Sequence, residues 1–263
     1  MIVDFHAHCF PDSLAARAMQ NLHQASGLPY YHNGTAAGLI RSTRQAGIDR
    51  VVVQPIATRP DQVDRINRWI LEIQGDTLLG FGTLHPDSKK WPAEIAHLKS
   101  AGLRGIKFHP EYQGFFVDDP RYFPLYEATF AAGLMILFHA GADLAFDEPC
   151  RCTPARLSTV LDAFPGGTVI AAHMGGYHYW DEVENLLIGR EIYLDTSFSA
   201  AELGTERMTR MIRQHGTSKI LFGTDSPWKD QAGALAEIRN LKLMPAEESA
   251  ILGGNAVRML GIG

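Results

Sequence analysis

The sequence predicts an α/β protein in which eight parallel strands, each followed by a covering helix, close into a (β/α)₈ barrel of the TIM type. Short β-branched or apolar runs recur along the chain. After the first run they begin roughly 25 to 35 residues apart, the length of a strand, a loop and a helix. Segments with helical spacing separate the runs. The eight runs begin near Ile2, Val51, Leu78, Leu103, Leu134, Thr168, Ile192 and Lys219.

Length and composition are those of one globular enzyme domain spanning residues 1–263, with 46% hydrophobic and 20% charged residues. A net charge of −5 with no basic stripe argues against a nucleic-acid partner. The longest apolar runs are strand-sized and no leader pattern opens the chain, so we expect no membrane contact, no signal peptide and a cytoplasmic location. Three cysteines, an odd number, indicate reduced thiols.

The first strand carries a metal-ligand pattern. Alternate residues of a strand share a face, so His6 and His8 point the same way, together with Asp4. Two imidazoles at this spacing can bind one ion, and neutral imidazole is a common ligand of zinc and its neighbours. A strand end that merely carries two polar residues is the alternative interpretation.

The intervening segments read as covering helices. Val63, Ile66, Ile70 and Ile73 fall on one face at helical spacing. Thr153 and Pro154 are typical of an N-cap followed by proline at the first helical position. Gly47, Gly102 and Gly133 each precede a strand, where the end of a helix is expected. These apolar stripes indicate core contacts and no chemistry.

Three connections between predicted strands depart from the regular pattern of strand, loop and helix. The first gap, which contains Pro11 to Gly34, is about twice the usual length and includes an amphipathic segment. Because it follows the carboxyl end of a strand, this long insertion after strand 1 is expected on the active-site face, as a lid or pocket wall. The same argument applies to residues 111–120 and 143–152, with packing on the barrel rim as the alternative.

Polar residues gather where the predicted strands end, and in a parallel barrel those ends form the catalytic face. Five of the strands finish in histidine, and a buried imidazole needs partners for its nitrogens. The strand-end residues are His6, His8, His85, Lys107, His109, His139, His173, Asp195 and Asp225. A single histidine here can be structural, but the whole set indicates a functional site.

Five motifs resemble the amidohydrolase superfamily, in its amidohydrolase-related branch of metal-dependent TIM-barrel hydrolases and aminocarboxymuconate-semialdehyde-decarboxylase-like enzymes. They occur in the expected order across nearly the whole chain. The motifs are Asp4-Phe5-His6-Ala7-His8, Gly105-Ile106-Lys107-Phe108-His109-Pro110, Phe138-His139-Ala140-Gly141, Ala172-His173-Met174-Gly175-Gly176 and Phe222-Gly223-Thr224-Asp225-Ser226-Pro227-Trp228. The resemblance is specific for fold and metal and says little about substrate.

The resemblance implies that four residues bind one divalent ion, zinc in the first place and another divalent metal as the alternative. These ligands are His6, His8, His139 and Asp225. His173 is similar to the family's histidine that faces the substrate or the water on the metal. Such a ligand set leaves a coordination position for water, whose pKa falls towards about 7. Asp225 and His173 are the expected catalytic residues, Asp225 accepting a proton and His173 orienting the reacting carbonyl.

Lys107 raises an alternative to the single metal. In binuclear members of the superfamily a lysine on strand 4 is carbamylated and bridges two metals. Here Lys107 is followed by His109 and Pro110, a pattern that looks more like the mononuclear branch. We therefore expect one ion, with His109 near the substrate and Lys107 deeper or contacting an anionic group.

The substrate is expected to be a small organic molecule, bound by His109, Lys107, Arg151 and Tyr177. The first functional expectation is a hydrolase that uses metal-activated water on a C–N or C–O bond. The alternative is a non-oxidative decarboxylase of an aromatic or unsaturated carboxylic acid. A barrel that only binds a ligand is the third interpretation. The oligomeric state, including a homo-oligomer, is left open.

Overall fold

The computed structural model describes residues 1–263, and strands form at all eight positions that the sequence predicts. The third predicted strand is two short strands on either side of Phe81. The strands are β1 Val3–Ala7, β2 Arg50–Val53, β3 Leu78–Gly80, β4 Gly82–Thr83, β5 Gly105–Phe108, β6 Met135–Phe138, β7 Val169–Ala171, β8 Tyr193–Asp195 and β9 Ile220–Leu221.

Helices fill the segments between the strands. They are α1 Asp12–Ser26, α2 Ala36–Gln45, α3 Val63–Ile73, α4 Trp91–Ser100, α5 Pro110–Gln113, α6 Phe123–Ala131, α7 Pro154–Ala163, α8 Trp180–Leu186, α9 Ala200–His215, α10 Gln231–Asn240, α11 Pro245–Ser249 and α12 Asn255–Leu260. Helix α9 is interrupted at Gly204, whose φ of 70° is not helical. None of the helices has the length and apolar character needed to span a membrane.

The chain divides into two compact units, and the prediction of one domain over 1–263 stays a prediction. The first unit comprises Met1–Val53, Ile73–Leu79 and Leu194–Gly263. Here β1 and β2 pair in parallel and β3 follows β2. Strands β8 and β9 also pair in parallel. The Phe5 amide donates to the Phe222 carbonyl at 2.7 Å, so the chain that leaves β9 runs beside β1.

The second unit comprises Gln54–Glu72 and Gly80–Tyr193. Strands β4, β5, β6 and β7 lie in sequence order and pair in parallel, so their carboxyl ends meet at one edge. Every residue of β5 and β6 is buried, as is usual for parallel strands covered on both faces. This explains why these strands read in the sequence as nearly continuous apolar runs.

The predicted helix ends are confirmed. The Thr153 side chain caps α7 by accepting from the Arg156 amide, and Pro154 is the first helical residue. Gly47, Gly102 and Gly133 follow α2, α4 and α6 with φ between 71° and 83°, a left-handed conformation that costs glycine little. These glycines turn the chain from a helix into the next strand.

The long insertion after β1 forms α1 and the loop Gly27–Gly34. The loop is tied to the chain after β9, because the Tyr31 amide donates to the Pro227 carbonyl at 2.8 Å. Tyr31, His32 and Asn33 line a cavity of about 400 Å³ together with Arg41. None of the metal-ligand candidates lines this cavity, so the expectation that the insertion forms a lid or wall of the active-site pocket stays a prediction.

Candidate metal centre and its surroundings

His6 and His8 meet Asp225 in the first unit. The Nε2 atoms of the two histidines lie 3.2 Å apart. Asp225 Oδ1 lies 3.2 Å from His8 Nε2 and 3.6 Å from His6 Nε2. Both imidazoles are buried, and the Asp225 side chain is 17% exposed. Two imidazole nitrogens and one carboxylate oxygen therefore converge on one point.

This geometry fits a metal ion. Bonds of about 2.0 to 2.1 Å to one tetrahedral ion place neighbouring ligand atoms about 3.3 Å apart. The three separations in this cluster are close to that value, and all three ligand atoms lie within 4.8 Å of one another. Imidazole nitrogen with carboxylate oxygen is a donor set that suits zinc and neighbouring divalent metals.

The backbone around Asp225 is built to present this side chain. Its amide donates to the His6 carbonyl at 2.8 Å, and the His8 amide donates to the Ser226 carbonyl at 2.6 Å. Asp225 itself has a φ of 66°, a left-handed conformation that aspartate tolerates better than most residues. The chain after β9 is thereby joined to β1 at the positions of all three ligand candidates.

Asp195 fixes the orientation of the His6 ring. Its Oδ2 lies 2.8 Å from His6 Nδ1, and the Ser197 hydroxyl lies 3.1 Å from the same nitrogen. A hydrogen on Nδ1 that is donated to the buried carboxylate leaves the Nε2 lone pair for an ion. Asp195, one of the strand-end residues, is thus hydrogen-bonded to a neighbouring strand-end residue. Ser197 was missed because its side chain belongs to no motif.

Asp4 stabilises the backbone around the cluster of His6, His8 and Asp225. Its Oδ1 accepts from the His6 amide at 3.1 Å and from the Thr224 amide at 3.0 Å. Its Oδ2 accepts from the Thr224 hydroxyl at 2.6 Å and from Gln231 Nε2 at 2.8 Å. Burial raises the pKa of Asp4 to about 7, against the opposing effect of these hydrogen bonds. One carboxylate thus holds the backbone beside two of the ligand candidates.

A second cluster of histidines lies in the second unit, at the ends of β5 and β6. The rings of His109 and His139 are stacked, with centroids 4.1 Å apart and planes 11° apart. His139 Nδ1 lies 3.0 Å from His173 Nε2. Asp143 Oδ2 lies 3.2 Å from His109 Nε2 and 4.0 Å from His139 Nε2. The strand ends therefore bring His109, His139 and His173 together, as predicted.

The surroundings of His139 favour its neutral form. Burial lowers its pKa well below the usual value for histidine, and the neighbouring His109 and His173 lower it further. Its buried Nε2 has no hydrogen-bond partner in the structure. A buried nitrogen without a partner is costly unless something else satisfies it, and a metal ion is one such partner.

The second cluster is less suited to an ion of its own. Its three ligand atoms, from His109, His139 and Asp143, also lie within 4.8 Å of one another. Because the two rings are nearly parallel, however, an ion in the plane of one imidazole lies out of the plane of the other. Lys107 is fully buried near His139, whose pKa it lowers. A cation at that position adds repulsion to a second metal.

The other predicted substrate-binding residues occupy different surroundings. The Arg151 guanidinium lies 5.8 Å from the centre of the Phe116 ring, while the Arg151 amide donates to Glu111 Oε1 at 2.8 Å. Tyr177 is 6% exposed, and its backbone bridges to Gly141. Substrate binding by Arg151, Tyr177, Lys107 and His109 stays a prediction.

Comparison with protein families identifies the family of this chain. The family model described as amidohydrolase matches residues 3–262. No curated protein matches the chain. Because the family match covers nearly the whole chain, it identifies the family by itself.

Three similar solved structures illustrate the fold. An uncharacterized TIM-barrel protein from Bordetella bronchiseptica is 19% identical with a TM-score of 0.79, covering 99% of this chain and 98% of that one. The 5-carboxyvanillate decarboxylase of Sphingomonas paucimobilis is 16% identical with a TM-score of 0.72, covering 100% and 99%. A probable 2-pyrone-4,6-dicarboxylic acid hydrolase from Acinetobacter baumannii is 16% identical with a TM-score of 0.68, covering 99% and 99%. The fold is that of a TIM barrel, as predicted, and the chain belongs to the amidohydrolase family.

Proposed function

We propose that this amidohydrolase-family enzyme removes CO₂, without redox chemistry, from a small carboxylic acid that carries an aromatic or unsaturated ring. The observation that carries the proposal of a metal-dependent enzyme is the convergence of His6, His8 and Asp225 at the spacing of ligands around one ion. Binding of the small molecule is the partner interaction that this function requires. Nucleic acid plays no part in it.

The metal is proposed to be one divalent ion per chain, held by His6, His8 and Asp225 with His139 as the fourth ligand. A bound ion supplies Lewis-acid stabilisation of negative charge on the oxygens of the acid. Zinc is the first candidate from the ligand set. Manganese is the second, since a 5-carboxyvanillate decarboxylase from Novosphingobium aromaticivorans, 13% identical with a TM-score of 0.72, has bound manganese.

Loss of CO₂ leaves an electron pair on the ring carbon, and a proton must reach that carbon. Asp225 is proposed to deliver it: with Oδ1 directed at the histidine nitrogens, the second carboxylate oxygen can take a proton from solvent water and pass it to the carbon as CO₂ leaves. His139 Nδ1 donates to His173 Nε2 when His139 keeps its Nε2 lone pair for the ion. His173 then carries its hydrogen on Nδ1, and it is proposed to donate that hydrogen to the substrate.

Decarboxylation is placed ahead of hydrolysis, which reverses the order that the sequence favours. Among the similar solved structures, decarboxylases of 5-carboxyvanillate and 2,6-dihydroxybenzoate are prominent. The second candidate is hydrolysis of a C–O bond in a carboxylated ring, and the similarity to probable 2-pyrone-4,6-dicarboxylic acid hydrolases supports it. Both reactions act on a ring that bears a carboxylate.

The two reactions leave different products. Metal-replete protein is to be incubated with hydroxylated benzoic acids, unsaturated cyclic acids, lactones and amides, with release of CO₂ and of acid followed separately. We expect CO₂ from at least one ring acid in the first group. Acid release without CO₂ identifies the hydrolase, and no turnover by metal-replete protein contradicts both candidates.

The proposed role of His139 as the fourth metal ligand is tested by a separate experiment. His139→Asn is expected to weaken binding of zinc or manganese about tenfold or more, measured by competition with a chelator. His97→Asn, at an exposed position of α4, is the control. Unchanged affinity in the His139 variant would remove His139 from the ligand set.

The cytoplasmic location expected from the sequence stays a prediction.

A further inference from the structure

Two aromatic side chains form a corner beside the second cluster. The Tyr112 ring lies 4.7 Å from the His109 ring at an interplanar angle of 81°. The Phe146 ring lies 4.8 Å from the Tyr112 ring at 87°. Tyr112 is therefore perpendicular both to an imidazole at the end of β5 and to Phe146. Two walls at right angles let a planar ring stack on one of them and meet the other edge to face.

The loop after β6 holds Phe146 at the surface. Asp143 Oδ1 accepts from the Ala145 amide at 2.8 Å, and the Asp143 carbonyl accepts from the Phe146 amide at 3.0 Å. This turn directs Asp143 Oδ2 to His109 while Leu144 and Phe146 stay 46% and 37% exposed. Exposed apolar side chains that flank a buried polar cluster are typical of a ligand site.

The Tyr112 hydroxyl makes no hydrogen bond to another group of the protein, so it can donate to a ligand. Burial, and then the charge of Asp143, raise the pKa of Tyr112 far above neutral. The phenol therefore keeps its hydrogen and can donate it to an oxygen of a ligand. Tyr112 thus offers an apolar face and a polar tip at one place.

The charges at the cluster decide which part of a ligand lies here. Asp143 and Glu111 both face His109, Asp143 at 3.2 Å and Glu111 at 3.9 Å. Burial raises the pKa of Glu111 to about 7, so Asp143 is the acidic side chain that disfavours a substrate carboxylate beside Tyr112. It does not disfavour an uncharged ring or its hydroxyl and oxo substituents. The side of the cluster where Asp143 and Tyr112 lie is therefore suited to the ring of an acid and not to its carboxylate.

We infer that Tyr112 and Phe146 determine the substrate class, by holding a planar ring against their faces with an oxygen substituent of that ring accepting from the Tyr112 hydroxyl. The inference rests on the proposed function for the identity of the site. It goes beyond that function by naming the ring face and the oxygen substituent as the recognised features. It makes Tyr112 and Phe146 specificity residues, and it assigns them no proton transfer.

Three probes separate these features: 2,6-dihydroxybenzoate, benzoate and the non-planar cyclohexanecarboxylate. Their Kd values are to be measured by calorimetry on metal-replete protein. We expect the wild type to prefer the aromatic acids. Phe146→Ala is expected to raise Kd for both aromatic acids about three- to tenfold, with less than a twofold change for cyclohexanecarboxylate. Tyr112→Phe is expected to raise Kd about three- to tenfold for 2,6-dihydroxybenzoate and less than twofold for benzoate.

Two matched controls are available in the same unit. Leu186 on α8 is 37% exposed, like Phe146, and Leu186→Ala is expected to leave every Kd unchanged. Tyr122 places its hydroxyl 3.4 Å from Asp87 at the surface, so Tyr122→Phe is the control for loss of a phenol. Circular dichroism and metal content establish that each variant is folded and loaded.

The outcomes separate the inference from the proposed reaction. Unchanged Kd values in Phe146→Ala and Tyr112→Phe overturn the inference, whatever the protein turns over. Equal wild-type affinity for planar and non-planar acids, or no binding of any aromatic acid, overturns it as well. The expected Kd pattern without any turnover supports the inference and contradicts the proposed reaction alone.

Discussion

At the scale of single residues, the candidate centre depends on which imidazole nitrogen carries the hydrogen. His6 Nδ1 is held by Asp195 at 2.8 Å, and this contact directs Nε2 towards His8 and Asp225. A carboxylate behind a ligating histidine both orients the ring and raises its basicity. The strength of metal binding should therefore depend on a residue that does not touch the ion.

Asp195→Asn is expected to weaken metal binding about 10- to 100-fold, because the amide is uncharged and no longer polarises the His6 ring. The measurement is competition for zinc or manganese against a chelator of known affinity. Asp61→Asn, on the surface beside Arg59, is the control. Equal affinity in wild type and Asp195→Asn would exclude the supporting role.

Asp225→Asn tests the residue with two proposed roles. Asparagine tolerates the left-handed backbone at position 225, so the substitution adds little strain. The variant is expected to retain some metal and to lose turnover by about 100-fold or more, since an amide binds metal poorly and cannot pass a proton. Turnover and metal content are to be measured on the same sample. Near-normal turnover with metal bound would contradict the proton-transfer role.

The four-residue helix α5 organises the chain at the end of strand β5. Gln113 Oε1 accepts from the His109 amide at 2.9 Å. Its Nε2 donates to the Ala57 and Leu84 carbonyls at 2.9 Å and 2.7 Å. One side chain thereby joins three segments of the second unit, at Ala57, Leu84 and His109. The same helix turns Glu111 into the interior and leaves Tyr112 at the cluster.

Glu111 makes stability depend on pH. Burial raises its pKa from 4.5 to about 7, so the folded state binds this proton more tightly than the unfolded state does. The stabilisation is present below pH 4.5 and is lost as the pH rises to about 7. A pKa shift of this size corresponds to about 3 kcal/mol in the free energy of unfolding.

Glu111→Gln removes the titration and keeps an oxygen for the Arg151 amide. From pH 4.5 to 7 the wild type is expected to lose about 3 kcal/mol relative to the variant, measured as the free energy of unfolding in urea at several pH values. Glu72→Gln, at an exposed position of α3, serves as the control. Parallel pH profiles for wild type and Glu111→Gln would show that Glu111 has the same pKa in the folded and unfolded states, against this prediction.

At the scale of the whole molecule, the fold could be predicted because parallel strands buried on both faces leave apolar runs in the sequence. Phe81 was expected inside one strand and instead separates β3 from β4. Its residue type favours a strand in either case, so no local signal marks the break. The glycines after helices were predictable because the left-handed backbone conformation at a helix end favours glycine, whatever the surrounding contacts.

The candidate site was predictable where its residues share a local pattern. His6 and His8 face the same way because they are two apart on a strand, and Asp225 belongs to a motif. Tyr112 and Phe146 were missed as a pair, because aromatic residues in loops have no periodicity. Their mutual contact depends on the turn that Asp143 closes, which the sequence does not reveal.

A metal ion that binds the folded chain should stabilise it as well as activate it. Any ligand that binds only the folded state adds RT ln(1 + [L]/Kd) to the free energy of unfolding, about 2.7 kcal/mol at 100 times Kd. For a chain of this size that amounts to roughly 5 to 10 °C in Tm.

Chelation is expected to lower Tm by this amount and to abolish turnover. One equivalent of zinc or manganese per chain should restore both. His8→Ala, which removes one ligand candidate, is expected to show a much smaller Tm shift with added metal. A full shift in that variant would place the stabilising ion elsewhere, and an unchanged Tm of metal-free wild type would contradict a metal centre in the folded chain.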